Sequence, residues 1–227
     1  MLFLITPTGG RPEGMAFLTE YLNAQTYNLH AHWIIVDDVD PATPWHTTRF
    51  HTTILRPHWR WQRGENTQSK SMAAALEQVG DDDTVIVLED DDVYLYDHII
   101  TTLRELETCE LVGERVSRYY NVATRRYQEI PGKVHASLSS NGVRGEALKL
   151  LRQICASGSR RIDMDLWRGF RGQKRMTDHA NVIGIKGLPG RAGIGIGHKE
   201  GFGLPDTDGV LHKWLGHYAD RYQGFET

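Results

Sequence analysis

The first hundred residues alternate between short apolar runs and amphipathic stretches, and that alternation predicts a parallel α/β sheet. Leu2–Ile5 is an apolar run closed by the turn-forming Thr6-Pro7-Thr8-Gly9-Gly10-Arg11-Pro12, the pattern of a buried strand leaving into a loop. Met15, Leu18 and Leu22 then recur at helical spacing, so roughly Glu13–Gln25 is predicted to be a helix lying on the sheet. His32–Val36 is a second apolar strand, ending in Asp37-Asp38. Strand, helix, strand is a βαβ opening, and a parallel sheet follows from it. The segment Pro41–Trp61 is irregular, broken by Pro41, Pro44 and Pro57, with a third strand expected near Thr52–Leu55. Met72, Ala75, Leu76 and Val79 mark a second helix. Thr84–Leu88 is an uninterrupted β-rich run, the signature of a central strand buried on both faces, and it stops at Glu89-Asp90-Asp91-Asp92. Ile99, Ile100, Leu103 and Leu106 predict a helix after it.

The second half is less regular. Arg118–Val122 and Arg126–Ile130 predict a hairpin around Ala123-Thr124, Gly145–Cys155 a helix and Asn181–Ile185 a strand. Gly187–Gly203 is glycine-rich and must be a loop or a set of tight turns. The aromatic Val210–Tyr222 reads as helical. No repeat or low-complexity linker divides the chain, so 1–227 is expected to form a single domain.

Length and charge narrow the class. A chain of 227 residues suits one α/β domain, and a formal net charge of -3 excludes an overall attraction to polyanions while leaving room for a local basic face. Two distant cysteines, Cys109 and Cys155, make no disulfide framework and point to a reducing compartment. The longest apolar runs are too short to span a bilayer, and the N-terminal Met1–Pro7 lacks a basic leader and reads as the first strand. The expected location is the cytoplasm, bacterial or that of a host if the source is viral.

The acidic runs carry the chemistry. In open α/β sheets ligands bind beyond the carboxyl ends of the strands, where both Asp37-Asp38 and Asp90-Asp91-Asp92 fall. A third run, Asp81-Asp82-Asp83, precedes its strand and reads as a solvated turn. Carboxylates crowded after a buried strand repel one another and lose hydration, and a divalent cation relieves both costs. Oxygen ligands suit Mg²⁺ or Mn²⁺, with phosphate oxygens completing the shell.

With these residues in view, the sequence resembles the GT-A glycosyltransferases. The run from Thr84 to Val93 resembles the hydrophobic strand and DxD motif of that superfamily. Ile5–Pro12 and His32–Asp38 resemble the nucleotide-binding strands of its glucuronyltransferase-like and family 2 members. The resemblance covers about the first hundred residues. It implies a Rossmann-like mixed sheet flanked by helices, with a nucleotide-sugar-binding half over 1–107 and an acceptor half over 108–227. The donor, a UDP-sugar by this likeness, would lie along Thr6, Pro7, Thr8, Gly9 and Arg11. Asp37 or Asp38 would accept a hydrogen bond from the base, and Asp90 and Asp91 would lie near ribose and metal. Asp92 would bind Mn²⁺ or Mg²⁺ directly, assisted by Asp90 and by His198, the late histidine after the glycine run. Arg63 and Lys70 fall where relatives carry a donor-site residue, although the usual Arg-Asn pair is replaced here by Gln68-Ser69-Lys70.

Inverting transfer needs a base for the acceptor's proton, and such enzymes place an Asp or Glu at a loop-to-helix start in the second half. Asp163 and Asp165 fit that place, and Asp165 is preferred because Leu166 and Trp167 would desolvate it. A retaining mechanism would need no such base. Lys186 and Lys199 either meet phosphate or solvate the glycine loop, which is no dinucleotide fingerprint because no helix follows it. Two basic stretches address the acceptor or form a solvated face: Arg49–Arg63, interleaved with Trp59 and Trp61, and Arg160–Arg175. They admit a nucleic-acid acceptor, such as DNA bearing hydroxymethylated bases, besides a glycan or lipid-linked one. Two other classes stay open at this point, a nucleotidyltransferase and a non-enzymatic nucleic-acid-binding module.

Overall fold

Successive side chains of a strand face opposite ways, and along β1 (Leu2–Thr8) both sets are buried. Leu2 and Leu4 sit in one apolar cluster, Phe3 and Ile5 in another. The sheet containing β1 is therefore covered on both faces, as a continuous apolar run requires. The computed structural model describes residues 1–45, 47–191, 193, 195–199 and 201–225.

Pro12 opens helix α1 (Pro12–Asn23), at the position where a missing N–H breaks no helical bond. Met15, Leu18 and Leu22 press its apolar side onto the first cluster. Then come β2 (His32–Asp37), β3 (His51–Leu55), α2 (Gln68–Leu76) and β4 (Thr84–Val87). β1 pairs in parallel with β2 and β4, and β2 with β3, so the predicted parallel unit is present. The chain continues through β5 (Asp92–Tyr94), α3 (His98–Leu106), β6 (Leu111–Glu114), β7 (Val116–Asn121), β8 (Arg126–Pro131) and β9 (Gly142–Arg144). It closes with α4 (Gly145–Ala156), α5 (Ile162–Gly169), β10 (Lys174–Thr177), β11 (Val182–Lys186), β12 (Leu204–Pro205) and α6 (Val210–Leu215).

Among the described residues these strands form a seven-stranded sheet, ordered β10-β6-β9-β4-β1-β2-β3, and a five-stranded sheet, ordered β12-β8-β7-β11-β5. β9 lies antiparallel between β4 and β6 and makes the larger sheet mixed. Side chains of α2, α4 and α5 fill one face of it; α1, β11 and α6 fill the other. The expected hairpin and the strand near 181–185 are found, in the second sheet rather than the first. The helix expected over Val210–Tyr222 stops at Leu215, because Gly216 takes φ 57°, and the chain goes on as a 3-10 turn over Gly216–Tyr222. A 2.8 Å hydrogen bond between the Tyr21 and Tyr222 hydroxyls ties that tail to α1. Cys109 and Cys155 are free and buried. Among the described residues no helix is long and apolar enough to cross a membrane.

One buried group of the fold predicts a pH response. His98 is fully buried at the start of α3, 5.0 Å from the Tyr94 ring, and its Nε2 has no hydrogen-bond partner. Burial, helped by the nearby His179, lowers its pKa to about 3. The folded chain thus refuses a proton that the unfolded chain accepts near pH 6.5, so stability from this residue is complete above that pH. It falls away as the pH drops toward 3, by about 1.4 kcal/mol per unit. Glu114, which burial pushes up to about 8, works in the opposite sense. The measurement is therefore a difference: between pH 6.5 and 4.5 the urea midpoint of His98→Phe should rise relative to that of the unmodified chain, and a constant difference would count against the assignment.

Candidate active site

A cleft of about 310 Å³ opens beyond the carboxyl ends of β1, β2 and β4, where ligands of open α/β sheets bind. Its walls include Thr8 at the end of β1, Arg11 from the first loop, Asp38 after β2, Glu89 to Asp91 after β4, and Asp163, Lys186 and His198 from the second half.

The carboxylates divide by the direction each side chain takes. Asp90 turns toward the first loop, where its Oδ2 accepts the Thr8 hydroxyl at 2.7 Å and its Oδ1 accepts a hydrogen bond from the Arg11 guanidinium. Arg11 is itself fixed by donating Nε to the Arg191 carbonyl at 2.8 Å, and it lies 3.5 Å from Asp91. Glu89, Asp91 and Asp92 converge elsewhere, each offering a carboxylate oxygen within 4.8 Å of the others. Asp90, expected from the sequence near the metal, makes contacts that direct it toward the first loop, and Glu89, not among the expected donors, stands in the cluster.

Charge is unevenly distributed in the cluster. Lys186 is buried and donates to Asp91 Oδ2 at 3.1 Å and to Asp92 Oδ1 at 3.0 Å. Burial raises the Asp91 carboxyl, but Lys186 and Arg11 outweigh it and hold the group down at about 2. Burial dominates at Glu89, pushed up to about 8 with Asp92 adding to the rise, and at Asp92, pushed up to about 6. Glu89 accepts a 2.7 Å hydrogen bond from Gln68 Nε2. His198 Nε2 stands 3.8 Å from Asp91, and burial together with Lys186 lowers its pKa to about 4, so it is neutral at pH 7.

These residues fit a divalent cation. The donor set is oxygen-rich with a neutral imidazole alongside, the chemistry of Mg²⁺ or Mn²⁺. The buried Asp92 Oδ2 also has no hydrogen-bond partner, an uncompensated position that a cation would complete.

One end of the cleft is built from β2 and two loops. Asp38 Oδ1 accepts Arg191 at 2.8 Å, and its Oδ2 accepts the Thr67 hydroxyl. Arg191 stacks on Trp61, 4.6 Å from the ring centroid, and also donates to Thr67. Asp37, the alternative base acceptor, is committed elsewhere: it accepts Thr43 N–H at 2.8 Å and Arg56 at 2.6 Å, and it does not line the cleft. Pro7, Thr8 and Gly9 line the cleft; Thr6 lies in the core and accepts the Trp33 indole N–H at 2.9 Å. Arg63 and Lys70 are exposed and outside the lining, Lys70 lying 3.4 Å from Glu65.

In the second half, Asp163 and Asp165 both fall in the first turn of α5, but only Asp163 lines the cleft. Asp165 accepts the Ser159 hydroxyl at 2.6 Å, while Leu166 and Trp167 turn into the core rather than desolvate it. Burial raises the Asp163 carboxyl, against a lowering by the Met164 N–H and by His135, 3.6 Å away. The basic stretch 160–175 splits. Lys174 donates to the Trp167 and Phe170 carbonyls and Arg175 pairs with Glu105, whereas Arg160 stands at the cleft with Arg161, Arg168 and Arg171 exposed nearby in sequence.

No family model matches the chain, and no curated protein sequence does. Solved structures are similar. S. aureus TarS matches with TM-score 0.51 at 12% identity, over 81% of this chain and 36% of that one. A structure of S. aureus TarS 1-349 in complex with UDP-GlcNAc matches with TM-score 0.53 at 12% identity, over 85% of this chain and 59% of that one. At such identity the likeness is one of fold: a mixed sheet flanked by helices, of the class expected from the sequence.

Proposed function

We propose that the chain is a metal-assisted glycosyltransferase that moves a sugar from a nucleotide-sugar, a UDP-sugar by preference, to a hydroxyl acceptor. One observation carries this reading: Glu89, Asp91 and Asp92 converge at the cleft with a buried, unpartnered Asp92 oxygen. The fold shared with a protein solved with UDP-GlcNAc supports it.

Glu89, Asp91 and Asp92 would hold Mn²⁺ or Mg²⁺, with His198 beside them. A bound cation of this kind neutralises charge growing on the leaving diphosphate. Arg11 and Arg191 give the cleft fixed positive charge for phosphate, and Asp38 marks the end suited to the base, with Trp61 behind it stacked on Arg191. Asp163 takes the acceptor's proton as the hydroxyl attacks; its raised pKa brings it closer to the working pH of a base. Arg160, Arg161, Arg168 and Arg171 would meet an anionic acceptor, either DNA with hydroxymethylated bases or a glycan or lipid-linked phosphate.

A thermal-shift panel of nucleoside diphosphates with and without Mn²⁺ tests the donor half. Stabilisation should appear for one base and only with metal, reaching about 2.7 kcal/mol at a hundredfold excess over Kd. If no nucleoside diphosphate shifts the transition in the presence of Mn²⁺ or Mg²⁺, the proposal fails. Product analysis separates sugar transfer, which frees a nucleoside diphosphate, from nucleotidyl transfer, which frees pyrophosphate.

A further inference from the structure

We infer that Lys186 is a built-in counter-ion that occupies the cation position of the acidic cluster in the ligand-free protein and gives it up when a metal and a diphosphate enter together. The inference rests on the metal-assisted reading above and adds a role for a residue which that reading does not use.

Lys186 ends β11, which pairs with β5 so that Gly184 faces Asp92. Its side chain is 8% exposed, and its ammonium bridges Asp91 and Asp92 at 3.1 and 3.0 Å. The stem is accommodated by design of the neighbouring loop: a Cβ on Gly197 would come 2.7 Å from Lys186 Cγ. Tyr119 flanks the ammonium, with its ring centroid 5.8 Å away.

A buried ammonium is tolerated only against well-placed anions, and crowded buried carboxylates only against a cation. Lys186 and the cluster thus satisfy each other, but incompletely. One ammonium engages Asp91 and Asp92, and Asp92 Oδ2 is left without a partner. Lysine suits a temporary tenant better than arginine, because it is a point charge on a flexible four-carbon stem with no bidentate fork to break. Lys186 also lines the cleft beside Arg11 and His198, so rotation of its stem carries the ammonium toward the space a diphosphate would fill.

The consequence is a coupling. Metal alone must displace the ammonium from two carboxylates without bringing an anion to receive it. With a nucleoside diphosphate present, the displaced ammonium gains phosphate oxygens. Each ligand then favours the other by the same factor. A lysine that merely propped up the fold would leave metal and diphosphate binding independent of each other.

The test measures Mn²⁺ binding without nucleotide, by calorimetry or by loss of the free-ion electron-spin signal. Lys186→Met should bind Mn²⁺ at least tenfold more tightly than the unmodified chain, and Lys186→Arg as weakly as it. Adding UDP should tighten Mn²⁺ binding by a smaller factor in Lys186→Met than in the unmodified chain. Mn²⁺ binding by Lys186→Met that is no tighter than the unmodified chain's overturns the inference. Should Lys186→Met unfold in chelator, recovery of its thermal transition on adding Mn²⁺ supports the role and failure to recover overturns it. The two readings fail separately: if Lys186→Met gains Mn²⁺ affinity yet no nucleoside diphosphate stabilises the unmodified chain, the transferase falls and the counter-ion stands.

Discussion

Asp92→Asn is expected to remove metal-dependent nucleotide binding and to lower sugar transfer by about a thousandfold or more, while making the metal-free chain more stable. The two effects have one origin. Asp92 is fully buried; one oxygen accepts from Lys186, and Oδ2 has no hydrogen-bond partner, although the Ser139 side chain favours the ionised carboxyl. In the metal-free protein its charge is a liability, seen in a carboxyl that burial pushes up to about 6. A carboxyl raised in the folded state stabilises the chain only in its protonated form. Its ionisation therefore costs stability progressively above the unfolded value, and fully above pH 6. An amide carries no such charge, so in EDTA at pH 7.5 the variant should gain on the order of 2–3 kcal/mol. The gain should shrink as the pH falls from 6 toward 4. Denaturation in EDTA across that range, beside a Mn²⁺-dependent UDP thermal shift at pH 7.5, reads both effects. A variant that is less stable without metal, or that keeps the UDP shift, would show that the free oxygen of Asp92 is not waiting for a cation.

Much of this arrangement is readable in the sequence, for reasons that differ by residue. β1, β2 and β4 are continuous apolar runs because both faces of the larger sheet are covered, and α1 shows its 3.6-residue repeat through Met15, Leu18 and Leu22. The acids at the ends of β2 and β4 stand out because charge directly after a buried strand is unusual. By contrast, β9 spans only Gly142–Arg144 and exists because β4 and β6 flank it; three residues carry no periodicity that could announce it. β5, β6, β10 and β12 are short in the same way.

Within the site, the acidic run after β4 stands out in the sequence, but the directions of its side chains do not. β4 ends at Val87 and Asp90-Asp91 form a turn before β5, so the alternation of a strand does not set the directions of these side chains. Glu89, Asp91 and Asp92 share a direction, and Asp90 takes the other, toward Thr8 and Arg11. Lys186 carried a weaker signal, as a lone charge ending the apolar run Val182–Ile185, in the same relation to its strand as Asp37 to β2. Arg191 carried none. Its partnership with Asp38 and Trp61 depends on the glycine-rich loop folding back over the first loop, where Arg191 N–H bonds the Gly10 carbonyl at 3.2 Å.

Asp163→Asn should reduce kcat by about a hundred- to ten-thousandfold with no loss of the Mn²⁺-dependent UDP thermal shift, and Asp165→Asn should leave kcat within a few-fold. The sequence favoured Asp165 because apolar neighbours in sequence would desolvate it. On a helix, however, neighbours in sequence point about 100° apart, and Leu166 and Trp167 are buried in the core while Asp165 bonds Ser159. Asp163 lies on the turn of α5 that meets the cleft, and burial raises its carboxyl while His135, 3.6 Å away, partly restrains it. A base acts only when ionised, so kcat should fall on the acid side as Asp163 takes up its proton, and that limb should disappear in Asp163→Asn. His135→Ala removes a group that favours the ionised form and should shift the limb to higher pH. Binding and turnover separate the roles cleanly: an asparagine at 163 keeps size and position but cannot accept a proton, so donor affinity persists while chemistry stalls. Full kcat in Asp163→Asn, or its loss in Asp165→Asn, would return the proton-accepting role to Asp165 or point to a retaining reaction that needs no base.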